Sequence, residues 1–508
     1  MRFSSSVYSS EGEARSGEQA SGLRTVYSVV NSSKTTLTIQ RKTSEKSFHH
    51  RTTKPYPDLT QHRLARKPRP NQHAILVWPN IITIASCKYY LMYIPRAIEP
   101  ALRRISDTFP VLLLTGPRQV GKTTVLRHLA EADRTYVTLD DPVVRSLARE
   151  EPALFLQRYP APVLIDEIQY APELLPYIKM QVDESQKNGG FWLTGSQMFH
   201  LMKNVSESLA GRVGVVKLLG LSANEIHQTP SEPFVTDPRY LLERAGKTKK
   251  MTLMEVYERI YRGSMPALYS RPEMDTELYY QSYLTTYLQR DIRDLTQVAD
   301  ELAFYNFLRA AAARTARPVV YEDLAKDAGI SAPTAKRWLS LLVSSHIVAL
   351  VQPYHNNVLK RTIKSPLMHF LDTGLCAYLL RWGSPETLEA GAMAGAFFES
   401  YVFSEIYKSY LNNAEEPPLY YFRNKDQQEI DVLICKDTML SPIEIKKSAH
   451  PGTQAVRHFR VLSPGAGTEK PDGVSGLKTG VGTGAVVCMA SDVLPLDANN
   501  WMVPVWVI

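Results

Sequence analysis

Five short apolar runs, separated by amphipathic segments, predict a parallel sheet in the chain. They are Val111–Thr115, Thr135–Leu139, Val163–Asp166, Phe191–Thr194 and Val215–Leu219. Strands that are apolar throughout, rather than at alternate positions, indicate a sheet covered by helices on both faces. Residues 92–230 are therefore predicted to form an α/β domain.

Helical periodicity follows this sheet, and a helix-turn-helix pattern comes next. Residues 231–300 are predicted to be a helical extension that includes a helix over Tyr279–Leu295. Residues 301–385 are predicted to be a winged-helix domain. Its parts are the helices Tyr321–Ala328 and Pro333–Ser344, a turn at Gly329, a cap at Ser331 and a wing strand over His346–Val351.

The last part of the chain, residues 386–508, is predicted to be a small α/β domain with mixed strand pairing. An amphipathic helix over Ala396–Tyr410 opens it. Strands are expected at Leu419–Arg423, Glu429–Cys435, Pro442–Lys446, Ala485–Ala490 and Met502–Ile508, with a glycine-rich loop over Ser463–Gly484.

The positive charge of the chain lies at its N-terminus. Residues 1–91 hold 14 Lys and Arg against 5 acids, a balance of 14 − 5 = +9, so a total of +8 leaves 8 − 9 = −1 for the rest. The folded part is therefore not a basic protein, and the total charge does not indicate nucleic-acid binding there. Residues 1–91 are predicted to be a disordered basic tail, with translation starting at Met92; a nucleic-acid-binding arm is the alternative.

Other features point to a cytoplasmic protein. No apolar stretch reaches the ~18 residues that a membrane helix needs. The four cysteines are isolated, which argues against a zinc site and a disulfide framework. The N-terminus lacks the pattern of an export signal.

The first strand leads into a phosphate-binding loop. Residues 116–123 read GPRQVGKT, which fits GxxxxGK[ST] between a buried strand and a helix. Backbone N–H groups of the loop would face the phosphates of ATP, Lys122 would bridge them, and the Thr123 hydroxyl would ligate Mg²⁺. The residues predicted to contact ATP are Gly116, Pro117, Arg118, Gln119, Val120, Gly121, Lys122, Thr123 and Thr124.

Other strands end in candidate catalytic residues. Asp166 and Glu167 follow a buried strand, so Asp166 is predicted to hold the metal and Glu167 to polarise the attacking water. Thr194 or Ser196 is a candidate sensor, although Ser196 also suits a helix cap. Arg212 is a candidate for charge stabilisation in a neighbouring subunit, which would imply a homo-oligomer; a surface ion pair is the alternative.

Together, these motifs resemble prokaryotic AAA-type P-loop ATPases that carry a C-terminal domain of unknown function. The resemblance covers residues 92–508 and includes Tyr93-Ile-Pro-Arg96, the phosphate loop, Leu164-Ile-Asp-Glu-Ile-Gln169 and Leu209-Ala-Gly-Arg212. It implies that Arg118 and Gln119 belong to the ATP site. It also implies that the C-terminal domain has a restriction-endonuclease-like fold.

Two further sets of residues suggest action on DNA or RNA. Lys336 and Arg337 lie on the second helix of the helix-turn-helix, and Lys360, Arg361 and Lys364 lie near the wing, where they would meet phosphates; a mere packing module is the alternative. Glu399, Asp431, Glu444 and Lys446 are similar to the PD-(D/E)xK nuclease pattern, with Asp431 and Glu444 as metal ligands. A solvated strand face is the alternative reading.

The sequence thus predicts a Mg²⁺-dependent ATPase that acts as a switch on a winged helix and a nuclease-like domain. An ATP-gated regulatory or DNA-binding module without nuclease activity is the main alternative. A small-molecule kinase shares the phosphate loop, but nothing in the sequence resembles a kinase lid or acceptor site.

Overall fold

The computed structural model describes residues 75–78, 81–84, 93–195, 205, 207–287, 301–354, 365–424, 426–462 and 480–508. The chain divides into two compact units after Cys87. In the first unit, β1 (Ile75–Trp78) and β2 (Ile81–Ile84) pair antiparallel within the segment predicted to be a disordered tail. Residues 1–74 and Met92 lie outside the described residues.

The second unit begins with the predicted parallel sheet. Its strands are β3 (Val111–Thr115), β4 (Thr135–Thr138), β5 (Val163–Asp166), β6 (Phe191–Gly195) and β7 (Val213–Lys217). They are all parallel, in the order β4-β5-β6-β3-β7. The last strand begins two residues earlier than predicted, because Val213 pairs with Val111 at the start of β3.

Helices cover this sheet. They are α1 (Glu99–Thr108), α2 (Lys122–Leu129), α3 (Pro142–Glu150), α4 (Pro152–Arg158) and α5 (Leu174–Ser185). Every residue of β3 and β6 is buried, as their apolar sequences predicted.

A helical region links the sheet to the rest of the unit. Its helices are α6 (Ala223–His227), α7 (Pro238–Ala245), α8 (Leu253–Arg262), α9 (Pro266–Ser270), α10 (Thr276–Tyr287) and α11 (Glu301–Ala312). The end of the helix predicted over Tyr279–Leu295 lies outside the described residues.

The helix-turn-helix forms as the sequence indicates. The two helices are α12 (Tyr321–Ala328) and α13 (Ala332–Ser344). Gly329 takes a left-handed φ of 69° at the turn, and the Ser331 side chain accepts a hydrogen bond from the Thr334 backbone. The strand after α13 starts at Val348 rather than at His346, because His346 itself has a left-handed φ of 56°.

A second sheet joins this segment to the C-terminal part. Its strands are β8 (Arg317–Pro318), β9 (Val348–Pro353), β10 (Leu367–Phe370), β11 (Leu419–Arg423), β12 (Glu429–Lys436), β13 (Met439–Ile445), β14 (Gly480–Val481), β15 (Gly484–Cys488), β16 (Leu494–Pro495) and β17 (Asn500–Pro504). The order is β16-β17-β15-β13-β12-β11-β9-β10-β8, with β14 beside β13. The sheet therefore continues across residue 386, where a domain boundary was predicted.

Three helices pack near this sheet: α14 (Thr373–Leu379), α15 (Pro385–Ala390) and α16 (Ala394–Leu411). Most of α16 is buried, and its Tyr410 hydroxyl donates to the Phe234 carbonyl at 2.7 Å. Arg244 donates to the Val507 carbonyl at 2.7 Å. The C-terminal part is thus anchored on the segment that follows the first sheet. None of the helices in the described ranges is long and apolar enough to cross a membrane.

Candidate functional site

The loop between β3 and α2 has a backbone that glycine alone fits at its first position. Gly116 has a φ of 146°, and a Cβ there would lie 1.9 Å from the Leu218 carbonyl oxygen. Gly121 has a φ of 90° and caps α2. Helix α2 starts at Lys122, so Lys122 and Thr123 lie in its first turn, where the N–H groups have no partner within the helix.

Lys122 folds back over this loop. Its Nζ donates to the carbonyl oxygens of Gly116 at 2.9 Å and Pro117 at 2.8 Å, and only 6% of the residue is exposed. An ammonium group held against the loop is placed to meet anions that bind to the loop's N–H groups. Among the other predicted ATP contacts, Val120 is buried, Arg118 is partly buried, and Gln119 and Thr124 are exposed.

The Asp166 carboxylate joins three strands at their carboxyl ends. It is 6% exposed, and its Oδ1 accepts hydrogen bonds from the Thr123 hydroxyl at 2.7 Å and from the Thr194 hydroxyl. Its Oδ2 accepts from the Tyr136 hydroxyl at 3.1 Å. Tyr136 was not predicted; its position on β4, beside the acid strand, is the signal that sequence reasoning missed.

Glu167 follows directly, in a left-handed conformation with φ of 59°. Its backbone N–H donates to the Thr194 hydroxyl at 3.1 Å, and its carboxylate accepts from the Gln169 side-chain amide. Thr194 therefore contacts both acidic residues, as β6 lies between β5 and β3. Ser196, the other sensor candidate, lies outside the described residues.

Arg212 lies far from this group. It precedes β7 and so lies at the amino ends of the strands, whereas the loop follows the carboxyl end of β3. Its Nη2 donates to Asp183 at 3.1 Å. This ion pair is largely exposed and holds the pKa of Asp183 at about 2 through its hydrogen bond with Arg212. Within its own chain, Arg212 thus forms a surface ion pair with Asp183. Its role in stabilising charge at the ATP site of a neighbouring subunit stays a prediction.

A buried arginine that was not assigned a role supports the loop from behind. Arg96 donates to the Val120 carbonyl at 2.8 Å, to the Leu219 carbonyl at 2.8 Å and to Glu225 at 2.9 Å. Arg96 is 5% exposed and Glu225 is 3% exposed. The pair ties the chain before α1 to the loop and to α6. The sequence pointed to Arg96 only through the segment Tyr93-Ile-Pro-Arg96, which is part of the family resemblance but was given no role.

The helical region also contacts the loop. Tyr279 on α10 donates its hydroxyl to the Gln119 side chain at 2.8 Å. Gln119 has a left-handed φ of 63°, which turns this part of the loop outward. The predicted ATP contact Gln119 is therefore also a contact between two regions of the unit.

The four nuclease-like residues come together in the C-terminal part. Glu444 on β13 accepts from the Lys446 ammonium at 2.5 Å, and the Asp431 carboxylate on β12 lies 4.0 Å from the same ammonium. Asp431 also accepts from the Ile445 backbone at 2.8 Å. Glu399, on α16, lies close enough to Asp431, Glu444 and Lys446 for their charges to shift its pKa.

Burial dominates the electrostatics of this cluster. Burial, and next the Asp431 charge, raise the pKa of Glu444 to about 8 and that of Glu399 well above its usual range. Burial also raises the pKa of Asp431 against the opposing charge of Lys446. Burial would lower the pKa of Lys446, but Asp431 and Glu444 outweigh it and the pKa is raised.

The cluster partly fits the predicted metal site. Glu444 Oε2 is buried and no hydrogen-bond partner is found for it within the described part of the chain, as a metal ligand would be. The Lys446 ammonium, however, already lies between the carboxylates. Across the described ranges, no group of three or more His, Cys, Asp or Glu is arranged to hold a metal ion.

The predicted nucleic-acid contacts of the helix-turn-helix are accessible. Lys336 and Arg337 are exposed on α13. The first helix of the pair, α12, carries the acidic residues Glu322, Asp323 and Asp327 beside Lys326, so the segment has no strong positive field. Lys360, Arg361 and Lys364 lie outside the described residues.

Comparison with known families divides the second unit into three segments. Residues 108–227 match the family model described as "AAA domain". Residues 254–386 and 394–508 match two models that are each described as "Domain of unknown function", DUF8612 and DUF4143.

The chain is similar to two curated proteins that are described as uncharacterized, one from Mycobacterium bovis and one from Mycobacterium tuberculosis. Each is 28% identical over 351 residues, which cover 69% of this chain and 73% of the relative. Neither relative is described with a function that could be compared.

Among solved structures, the chain matches a Walker-type ATPase of Pyrococcus abyssi with 17% identity and a TM-score of 0.37, over 56% of this chain and 94% of the other. A RuvB variant of Thermotoga maritima has 19% identity and a TM-score of 0.22 over 50% of this chain and 85% of the other. TM-scores this low support no conclusion about the present chain. The family match and the geometry of the phosphate loop together identify residues 108–227 as an AAA-type P-loop domain.

Proposed function

We propose that the protein binds ATP with Mg²⁺ and hydrolyses it to ADP and phosphate, as a switch. The observation that carries this proposal is the network in which Thr123, Asp166, Thr194 and Glu167 meet at the carboxyl ends of β3, β5 and β6. Ligands of open parallel sheets bind at this edge, and here it faces a phosphate loop.

Each residue of the network has a distinct part in the proposed reaction. Lys122 and the N–H groups at the start of α2 bind the phosphates and offset their charge. Glu167 orients and polarises the attacking water. Thr194 positions Glu167 through its backbone N–H and holds Asp166 through its hydroxyl.

The oxygens of Thr123 and Asp166 suit a magnesium ion. They lie 2.7 Å apart, and Mg²⁺ in nucleotide sites needs only one or two protein oxygens because phosphates and waters complete its shell. When bound, the ion would neutralise charge on the phosphates. Adenine is proposed over guanine because the paired acids 166 and 167 are typical of ATPases and no guanine-binding motif stands in the sequence.

Calorimetric titration with ATP and with GTP, in the presence of Mg²⁺, tests the binding step. We expect ATP to bind more tightly than GTP, and Lys122→Ala to weaken ATP binding at least tenfold. Lys179→Ala removes an exposed lysine of the same domain and is the matched control. Equal binding of ATP by wild type and Lys122→Ala would refute the proposed site.

Nucleic acid is the proposed effector, and the exposed Lys336 and Arg337 on α13 favour it. The double variant Lys336→Glu with Arg337→Glu should bind duplex DNA at least tenfold more weakly and show a smaller salt dependence. Lys326→Glu, on the other helix of the pair, is the control. Unchanged DNA binding would leave the helix-turn-helix as a packing module.

Nuclease activity is a second proposal, supported by the Asp431, Glu444, Lys446 and Glu399 cluster. Incubation of plasmid DNA with Mg²⁺ or Mn²⁺ should give cleavage that Asp431→Ala abolishes and that the exposed Asp426→Ala retains. Absence of metal-dependent cleavage in the wild type would favour the alternative, an ATP-gated binding module without nuclease activity. In that alternative the cluster is a structural ion pair.

The cytoplasm is the proposed location. The described cysteines Cys376, Cys435 and Cys488 form no disulfide with one another, which suits a reducing compartment. A homo-oligomer in which Arg212 reaches a neighbouring ATP site also stays a proposal.

A further inference from the structure

The turn between α13 and β9 lies against the phosphate loop. One cavity of the unit is lined by Pro117 and Val120 of the loop and by His346 and Ile347 of the turn. The rest of its lining is mostly apolar and includes Ser264 and Asp372. The backbone holds His346 at this place: its φ is 56°, and its N–H donates to the Val343 carbonyl at 3.0 Å. His346, just after the helix-turn-helix, therefore shares a cavity with the phosphate loop.

One ring nitrogen of His346, Nε2, is buried without a hydrogen-bond partner in the described part of the chain. A buried polar atom left without a partner destabilises the fold, so such an atom beside a ligand site points to a ligand. Its neighbours indicate which ligand: burial, and next the charges of Lys217 and Lys122, lower the pKa of His346 to about 4. A neutral imidazole among cations is complemented by an anion.

We propose that His346 donates a hydrogen bond from Nε2 to a phosphate oxygen of the nucleoside triphosphate held by the loop, and thereby links the nucleotide to the helix-turn-helix. The inference rests on the proposed nucleotide binding and goes beyond it, because it assigns a nucleotide contact to a residue outside the AAA-type segment 108–227.

The consequence concerns α13. This helix has 13 residues, ends at Ser344 two residues before His346, and carries the exposed Lys336 and Arg337 in its first half. A helix of that length spans roughly 20 Å as a rigid element. A contact at His346 that forms only with nucleotide bound therefore couples nucleotide binding to the helix that carries Lys336 and Arg337.

Two variants of similar size separate a phosphate contact from a packing role. His346→Leu fills the same space without a donor, whereas His346→Gln keeps an N–H donor at a similar reach. The exposed His450→Gln is the control. Binding of ATP and Mg²⁺ is measured by calorimetry on the full chain, with circular dichroism to confirm that each variant is folded.

We expect His346→Leu to weaken ATP binding at least tenfold, because a hydrogen bond to a charged group contributes at least the energy of about 1.4 kcal/mol that corresponds to a factor of ten. His346→Gln should stay within about threefold of wild type. Wild-type affinity in His346→Leu, or equal losses in both variants, would overturn the inference.

A spectroscopic readout adds a test that a structural role would not pass. The imidazole resonance that is absent from His346→Gln should shift when ATP is added to the wild type. If the wild type binds ATP and that resonance does not move, the inference fails while the proposed function stands. If the wild type binds no ATP, both the proposed function and the inference about His346 are wrong.

Discussion

Asp166 is held by hydroxyls from the loop and from two other strands, and the Thr194 hydroxyl is the one that also reaches Glu167. Thr194 is fully buried, so Thr194→Val keeps the volume and removes only the polar contacts. We predict that this change lowers the ATP hydrolysis rate at least tenfold and leaves ATP affinity within about threefold. The expected loss is on the rate because Glu167 and Asp166 lose their positioning, while Lys122 and the loop still bind phosphate.

Thr115→Val is the matched control for this change. Thr115 is also fully buried at the end of a strand of the same sheet, but its hydroxyl donates to the Val216 carbonyl and to neither acid. Steady-state phosphate release by both variants gives the comparison. Equal rates in Thr115→Val and Thr194→Val would contradict the positioning role of Thr194.

His369 is a second residue with a testable effect, because its burial makes the free energy of unfolding depend on pH. It is 1% exposed, and burial lowers its pKa to about 3. The unfolded chain, with a histidine pKa near 6.5, therefore binds more protons than the folded chain between about pH 3 and 6.5. The stability that His369 contributes is complete above pH 6.5 and is lost as the pH falls.

His369→Phe removes this titration and keeps an aromatic ring against Phe403, on which His369 stacks. From pH 7 to pH 5 we predict that the free energy of unfolding falls by about 2 kcal/mol more in wild type than in His369→Phe. Urea unfolding at the two pH values measures the difference, with the exposed His450→Gln as control. Identical pH dependence in all three proteins would contradict the assignment.

At the scale of elements, the carboxylate of Asp372 connects the turn after α8 with the helices α10 and α14. It accepts hydrogen bonds from the Ser264 backbone at 2.8 Å and the Tyr280 hydroxyl at 2.7 Å, and it caps α14. The chain fits closely here: a Cβ on Gly374 would lie 2.5 Å from the Tyr280 hydroxyl and 2.8 Å from the Gly263 Cα.

Gly374→Ala should therefore destabilise the chain, by about 1–3 kcal/mol, since overpacking a fitted site costs that much. Gly395→Ala is the matched change, because it lies in α16 and a Cβ there would meet nothing within 4 Å. Alanine at position 395 is expected to be neutral or stabilising by up to about 1 kcal/mol. Thermal unfolding that ranks the two variants the other way would contradict this packing.

The sequence predicted elements well where one pattern determines them. The five strands of the first sheet and both helices of the helix-turn-helix follow from apolar runs, caps and a single glycine at position 329. Pairing between distant strands was not predictable, because any two apolar strands can pair. Strand β11 lies parallel to β9, with Tyr420 opposite Gln352, and no local signal marks that choice.

The candidate site shows the same division. Lys122, Thr123, Asp166, Glu167 and Thr194 were predicted, because the chemistry of phosphate binding needs those residue types at the ends of strands. The contacts from Arg96, Tyr279 and His346 were not, because each depends on how remote segments pack against the loop. Tertiary packing, rather than local pattern, decides such contacts.

At the scale of the whole molecule, the second unit offers a physical route from the nucleotide site to its C-terminal part. Helix α16 contacts the segment after β7 through a buried Lys408, which donates to the Leu221 carbonyl at 3.1 Å. The Ala223 backbone donates to Glu405 of the same helix at 2.7 Å. The same helix carries Glu399 of the nuclease-like cluster. Helix α16 therefore connects the segment after the first sheet with the nuclease-like cluster.

The most direct test of the central claim is phosphate release from ATP and Mg²⁺ by the full chain, measured beside Glu167→Gln and Glu173→Gln. We predict turnover by the wild type and by Glu173→Gln, because Glu173 follows the site without belonging to its hydrogen-bond network. Glu167→Gln should still bind ATP but lose at least a hundredfold in hydrolysis rate. Turnover that survives in Glu167→Gln, or a wild type that binds ATP without releasing phosphate, would contradict the central claim.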